Sequence, residues 1–356
     1  MKQKIRVLIA DDSAFMRQEL KKILQSDPDI EVVGVARNGE EAVERTKALE
    51  PDVVALDINM PVMDGLTALQ YIMMESPRPV VMVSSLTQEG ALTTYEALEL
   101  GAVDFVGKPG GTISRDIGIV AHEIIYKIRS AACAKTSHLG LARKRRRQER
   151  AKRAAPKGSG RKTSEKIVVI GQSTGGPNTI MDILPMFPPD LGAPVIIVQH
   201  MPGSFTPSFA QRLDKSCTLS FKEAKSGDII ASDHGYLAPG DIHMVLAPRG
   251  MRKNGSLVRL TKTPRNSLHT PSVDVTMESV LSRYGENTIG VLLTGMGSDG
   301  AEAMVKIRKA GGRTIAESEE TAVVFGMPKE AIRKGGAEFV LPSYEIGEKI
   351  VELVKS

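Results

Sequence analysis

Residues 168–177 read Val-Val-Ile-Gly-Gln-Ser-Thr-Gly-Gly-Pro: an apolar β-branched run stops at Gly171, Ser173 follows, and Gly175, Gly176 and Pro177 open a helical pattern. The stretch predicts a strand, a tight turn and a helix. A serine on such a turn can serve as a nucleophile. The same turn can also offer backbone N–H groups to a phosphate.

Outward from this turn the strand–helix rhythm continues. Apolar runs at Ile167–Ile170, Val195–Gln199, Ile289–Thr294, Arg313–Ala316 and Phe339–Leu341 are separated by helical patterns. Between Gly227 and Thr263 long helical periodicity is missing, and GYLAPGDIHMVLAP predicts a hairpin turning at Pro239–Gly240–Asp241. The expectation is a mostly parallel sheet, covered by helices in a three-layer α/β arrangement, with an antiparallel hairpin.

Ligands of such sheets gather at the carboxyl ends of the strands. Three of those ends carry reactive groups: Ser173, His200 in VIIVQHMP, and Asp299 in LLTGMGSDG. Singly each has an ordinary explanation, Ser173 and Asp299 as helix N-caps and His200 as a hydrogen-bonded strand terminus. Together they supply a nucleophile, a base and an orienting carboxylate. The chain order is Ser, His, Asp, whereas an α/β-hydrolase runs Ser, acid, His, so Gly-x-Ser-x-Gly here does not come from that fold. Neither G-x-G-x-x-G nor a P-loop ending is present, and a phosphate cradle at Ser173 has no lysine to support it.

The first 130 residues repeat the rhythm. Runs at Ile5–Ala10, Glu31–Ala36, Val53–Asp57, Val80–Ser84 and Asp104–Gly107 alternate with helical spacing at Met16–Leu24, Ala42–Leu49, Leu66–Met73, Ala91–Leu98 and Ile117–Ile128. Asp11 and Asp12 follow the first run, Asp57 ends the third, Ser84 the fourth, and Lys108 follows the fifth. Three carboxylates in one crevice repel, and a hard cation such as Mg²⁺ is the simplest relief. Asp12 as a cap for the helix near Ser13 would explain only one of them.

The chain's 356 residues suit two domains. Aromatics are 4%, Trp is absent and Met numbers 16, so the cores are aliphatic. Cys133 and Cys217 form no disulfide framework or metal spacing, which suits a reducing cytoplasm. MKQKIRVLIADD reaches acids too soon for a secretory signal, and no run is long enough to span a bilayer. The net charge of +5 is local: Lys135 to Lys166 holds 13 basic residues against two acids, leaving 34 bases and 40 acids elsewhere. That segment, with KRRR and Gly-Ser-Gly, reads as a solvated, disordered linker at 131–165.

IADDSAFMR, LDINMPVMDG, VSSLT and FVGKPG, in this order, resemble the receiver domain of two-component response regulators. The resemblance implies a flavodoxin-like fold over 1–130, Asp57 as the phosphorylated residue, and Mg²⁺ held by Asp11, Asp12 and Asp57. It also implies Ser84 and Lys108 as holders of the phosphoryl oxygens, with Phe105 as the aromatic switch residue. IGQSTGGP, VQHMPGSFT, YLAPGDIHM, HTPSVDV, LLTGMGSDGA and VVFGMP resemble successive blocks of the CheB family, the chemotaxis protein-glutamate methylesterases.

Over 166–356 that resemblance implies Ser173 as nucleophile, His200 as base and acid, and Asp299 as orienting carboxylate. Backbone N–H groups near Thr174 and Met296 would form the oxyanion hole, and no cofactor would serve the esterase chemistry. Gln172 stands where alanine is common in the family, and His269 is a second histidine of structural or substrate-lining kind. The implied substrate is a methyl-accepting chemoreceptor, the phosphodonor a chemotaxis histidine kinase, and deamidation of glutamine an allied activity. The unphosphorylated receiver is expected to cover the Ser173 crevice and phosphorylation to uncover it. A DNA-binding output domain would require a helix-turn-helix, against which the strand-rich pattern argues. A small-molecule esterase would keep the triad without receptor contacts.

Overall fold

The computed structural model describes residues 3–84, 88–108, 117–135, 165–249 and 255–356. The expected linker lies almost wholly outside the described residues. Two compact units result.

In the first, strands β1 (Ile5–Ala10), β2 (Ile30–Ala36), β3 (Val53–Asp57), β4 (Val80–Ser84) and β5 (Asp104–Gly107) alternate with helices α1 (Ala14–Gln25), α2 (Gly39–Leu49), α3 (Gly65–Glu75), α4 (Gln88–Leu100) and α5 (Ile117–Ala132). The strands form one parallel sheet in the order β2-β1-β3-β4-β5. Every residue of β3 is buried, which is why it reads as a continuous apolar run with Asp57 at its end. Each such Val or Leu contributes roughly 1.5–3 kcal/mol on burial. The helices start at side-chain caps: Ser13, Asn38 and Asp64 each accept an N–H from the first turn. Ser13, not Asp12, caps α1, which leaves Asp12 for the crevice.

The second unit contains β6 (Ile167–Gln172), α6 (Gly176–Ile183), β7 (Val195–Gln199), α7 (Thr206–Ser216), β8 (Ser220–Glu223), β9 (His234–Leu237), β10 (His243–Pro248) and β11 (Ser256–Thr261). It continues with α8 (Val273–Tyr284), β12 (Thr288–Leu292), α9 (Ala301–Lys309), β13 (Arg313–Glu317), α10 (Met327–Arg333), β14 (Phe339–Leu341) and α11 (Ser343–Lys355). Seven strands form a sheet ordered β14-β13-β12-β6-β7-β9-β8, with parallel pairing throughout. The hairpin is β10–β11, antiparallel and separate from that sheet. This corrects the expected pairing across Pro239–Gly240–Asp241. There the chain turns against the segment after β7, with Gly240 packed on Met201 and Pro202 and Asp241 accepting the Gly203 N–H. β9 is already paired on both edges, by β7 and β8, so β10 finds its partner in β11. Among the described residues no helix is long and apolar enough to cross a membrane.

Candidate active site

β6 is the middle of the larger sheet, with β7 on one side and β12 on the other. The chain leaves β6 toward β7 and returns later to β12, so the carboxyl ends of these strands flank a topological switch point. Register decides what meets there. Gln172 pairs with Gln199, so the next residues, Ser173 and His200, stand side by side, tied by a His200 N–H to Gln172 O bond of 3.2 Å. Successive strand residues face opposite sides. Gly171 faces Val273 of α8, while Gln172 and Gln199 lie against Gly176 at the start of α6.

His200 Nε2 lies 2.8 Å from Asp299 Oδ2. With the carboxylate accepting, Nε2 carries the proton and Nδ1 has the free lone pair. Nδ1 and Ser173 Oγ are both buried, and neither has a hydrogen-bond partner among the described residues. Gln199 Nε2 donates to the carbonyls of both Ser173 (3.1 Å) and His200 (3.0 Å), fixing the backbone of the pair. The His269 ring stacks on His200, centroids 4.0 Å apart at 17°.

Asp299 is held at the N-terminus of α8. Its Oδ1 accepts Ser272 Oγ–H (2.9 Å) and Asp274 N–H (3.0 Å), and its Oδ2 also accepts Val273 N–H (2.7 Å). Burial opposes its charge, but the His200 hydrogen bond and charge, with the Asp274 and Val273 N–H groups, hold the carboxyl well below the usual carboxylate range. The expectation that Asp299 could cap α9 is replaced: Gly300, at φ +90°, is the α9 N-cap residue, and Asp274 of α8 accepts the Ala303 N–H at 2.8 Å. The loop's glycines let it approach closely, since a Cβ on Gly300 would meet Val273 at 2.6 Å.

The Ser173 turn is tied to the β12 end: Ser173 N–H donates to Thr294 O (3.0 Å), and Thr294 Oγ1–H reaches Thr174 O at 2.9 Å. Gly295 packs so tightly that a Cβ there would lie 2.8 Å from Ser173 Cβ. Met296, the other expected oxyanion residue, follows it, with Gly326 against its Cα. Sequence reasoning did not single out Gln199, Ser272, Asp274, Thr294 or His243. His243 accepts the Ser272 N–H at 3.1 Å through Nδ1 and faces Pro264 O at 3.1 Å through Nε2. Of these, Gln199 and Thr294 were detectable as polar residues ending buried runs.

In the first unit, Asp11 and Asp57 are buried and Asp12 is exposed, with ligand oxygens within 4.8 Å of one another. Lys108 Nζ bridges Asp57 Oδ2 (2.7 Å) and Asp11 Oδ2 (2.9 Å). Burial raises the Asp57 pKa, Asp11 adds to it, and Lys108 only partly opposes it. One lysine thus leaves a crevice of three carboxylates incompletely neutralised, a donor set suited to a hard divalent cation. Phe105 is buried and meets Tyr95 edge-on, centroids 6.1 Å apart. Ser84 closes β4 beside Gly107, and its hydroxyl lies outside the described residues.

A family model described as CheB methylesterase matches residues 168–350, and one described as response regulator receiver domain matches residues 7–114. The protein-glutamate methylesterase/protein-glutamine glutaminase of Caldanaerobacter subterraneus subsp. tengcongensis is 54% identical over 361 residues, covering 99% of this chain and 98% of its own. That of Thermotoga maritima is 47% identical, covering 98% of each. The crystal structure of the Thermotoga maritima CheB methylesterase catalytic domain aligns at TM-score 0.51 and 45% identity, over 53% of this chain and 98% of its own.

Proposed function

Since the chain belongs to the CheB methylesterase family and also carries a response regulator receiver domain, we propose that Ser173, His200 and Asp299 hydrolyse glutamate methyl esters on chemoreceptors, under control of phosphorylation at Asp57. The observation that supports the site assignment is the His200 Nε2–Asp299 Oδ2 bond of 2.8 Å, which leaves His200 Nδ1, buried and without a hydrogen-bond partner among the described residues as Ser173 Oγ is, to act as the base.

His200 Nδ1 takes the Ser173 Oγ proton as Oγ attacks the ester carbonyl. The carbonyl oxygen becomes an oxyanion, received by N–H groups of the Thr174 and Met296 segments. Collapse breaks the bond to methoxide, which leaves as methanol with the proton from Nδ1. A water then gives its proton to Nδ1 and attacks the acyl carbon, and Ser173 leaves reprotonated, releasing glutamate. On a carboxamide the same steps release ammonia and convert glutamine to glutamate. Asp299 keeps Nε2 protonated and stabilises the imidazolium in both halves. Preorganised oxyanion donors each supply on the order of 10²–10³ in rate, so the geometry of the turn matters as much as the base.

In the receiver, Asp11, Asp12 and Asp57 would hold Mg²⁺, which when bound neutralises phosphoryl oxygens. Asp57 is the phosphoacceptor, Lys108 pairs with the phosphoryl group, and Ser84 with Phe105 reads its presence. The phosphodonor is a chemotaxis histidine kinase. Access to the Ser173 crevice is the controlled quantity, a shift between covered and open populations. The free thiols Cys133 and Cys217 suit a cytoplasmic setting. Methanol release from a methylated receptor, with and without acetyl phosphate plus Mg²⁺, tests the control: a rise on phosphorylation is expected, and equal rates contradict it.

A further inference from the structure

Glu317 ends β13 and is 0% exposed, yet it belongs neither to the triad nor to the oxyanion segments. Its Oε2 accepts the Thr294 N–H at 2.8 Å, and its Oε1 accepts the Thr321 hydroxyl at 2.8 Å. A buried carboxylate is costly to desolvate and persists where its acceptors are engaged. What it engages here is informative. Thr294 is the residue whose carbonyl takes the Ser173 N–H and whose hydroxyl reaches the Thr174 carbonyl. Two residues further on is Met296. Thr321 begins the segment whose Val324 N–H donates to Thr294 Oγ1 (2.9 Å) and whose Val323 packs on Gly175. The same segment then brackets Gly295 from both sides, through Gly295 N–H to Val324 O (3.0 Å) and Met327 N–H to Gly295 O (2.8 Å).

Resting on the serine-hydrolase reading above, we infer that Glu317 is a positioning residue for the oxyanion hole: through Thr294 and Thr321 it fixes the Thr174 and Met296 segments relative to Ser173. Its two oxygens face two donors on two different segments. Thr321 Oγ1 already accepts the Ser343 N–H at 2.9 Å, so its one proton is directed to Glu317. A glutamine of the same shape would present an N–H₂ group where an acceptor is needed. The effect falls on the geometry that receives the oxyanion, and ground-state binding of the ester is untouched.

The test uses the full chain and follows methanol release from a methylated chemoreceptor. It also measures binding of phenylboronic acid, whose boron becomes a tetrahedral anion on taking a serine oxygen. Glu317→Gln is expected to lower kcat about 10- to 100-fold with KM within about twofold, and to weaken the boronate in proportion to kcat/KM. Thr294→Val, near-isosteric and lacking the hydroxyl that reaches Thr174 O, should do the same, and the double variant should lose little more because both act on one route. Wild-type kcat and boronate affinity in Glu317→Gln overturn the inference. So does a loss of kcat without weaker boronate binding. Ser173→Ala is the separate control: if it keeps its activity, the serine-hydrolase reading fails rather than the role of Glu317.

Discussion

Asp299 Oδ2 sits 2.8 Å from His200 Nε2, the ring nitrogen that a chymotrypsin-type triad turns toward its serine. In the mechanism proposed above the two nitrogens exchange roles, and Nδ1 is the base. Asp299→Asn keeps the shape but removes the charge and permits the wrong tautomer, so kcat should fall by on the order of 10⁴, the size seen for the equivalent change in a chymotrypsin-type enzyme. KM for the receptor ester should stay nearly constant. Steady-state methanol release checks both.

Asp274 and Asp299 titrate in opposite senses. Burial first, and then the Asp299 charge, push the Asp274 carboxyl from 3.8 up to about 6. A folded-state pKa above the unfolded one means the folded state holds the proton more tightly across that window, so this contribution to stability is present at low pH and lost as pH rises from about 4 to 6. Asp299, with its pKa depressed, contributes stability above the unfolded carboxylate pKa and loses it in acid. Asp274→Asn should therefore raise the thermal midpoint of the catalytic unit more at pH 7 than at pH 4. A shift of the same size at both values contradicts the assignment.

Gly295 leaves no room for a side chain beside Ser173, the proposed nucleophile. An alanine Cβ there would sit 2.8 Å from Ser173 Cβ and 2.4 Å from Met327 Sδ. The flexible methionine can yield, and the serine then has to move with the turn. Gly295→Ala should lower kcat at least about 10-fold, since shifts near 1 Å are costly at a reacting centre. Gly335→Ala serves as comparison: its φ is +73°, no atom lies within 4 Å of the added Cβ, and only stability should change, by about 1 kcal/mol.

Much of this was legible in the chain because parallel strands buried on both faces read as uninterrupted Val/Ile/Leu runs. β1, β3, β4, β5, β7 and β14 begin and end where those runs do. Ser173 and His200 stood out because each is the first residue beyond a buried strand, and Asp299 because it lies in the glycine-rich loop that follows β12. β8, Ser-Phe-Lys-Glu, did not, since only Phe221 is buried and the segment has no apolar run. The hairpin was misassigned because Pro-Gly-Asp between two apolar stretches is the local signal of a hairpin, while the pairing was decided by β7 and β11, both distant in sequence. Glu317 was hidden for a related reason. It opens the run Glu-Ser-Glu-Glu, and nothing local distinguishes the buried acid from its neighbours Glu319 and Glu320.

The acidic crevice makes a prediction about metal removal. Asp11, Asp12 and Asp57 are the only group of three or more potential ligand residues found together among the described residues, and it lies in the receiver unit. EDTA should therefore abolish the stimulation of methanol release by acetyl phosphate while leaving the unstimulated rate intact. Asp57→Asn should reproduce that pattern with Mg²⁺ present. Loss of the unstimulated rate in EDTA would place a metal in the ester chemistry itself.

The proposed hydrolysis depends most on Ser173 as the attacking group. Its most direct test is methanol release by the full-length Ser173→Ala protein on a methylated chemoreceptor, with acetyl phosphate and Mg²⁺ present so that receiver control does not mask the result. A fall of about 10³-fold or more is predicted, with only oxyanion-hole and binding contributions remaining. Activity above about a tenth of the parent protein's would mean that Ser173 is not the nucleophile, since a lost nucleophile costs far more than tenfold.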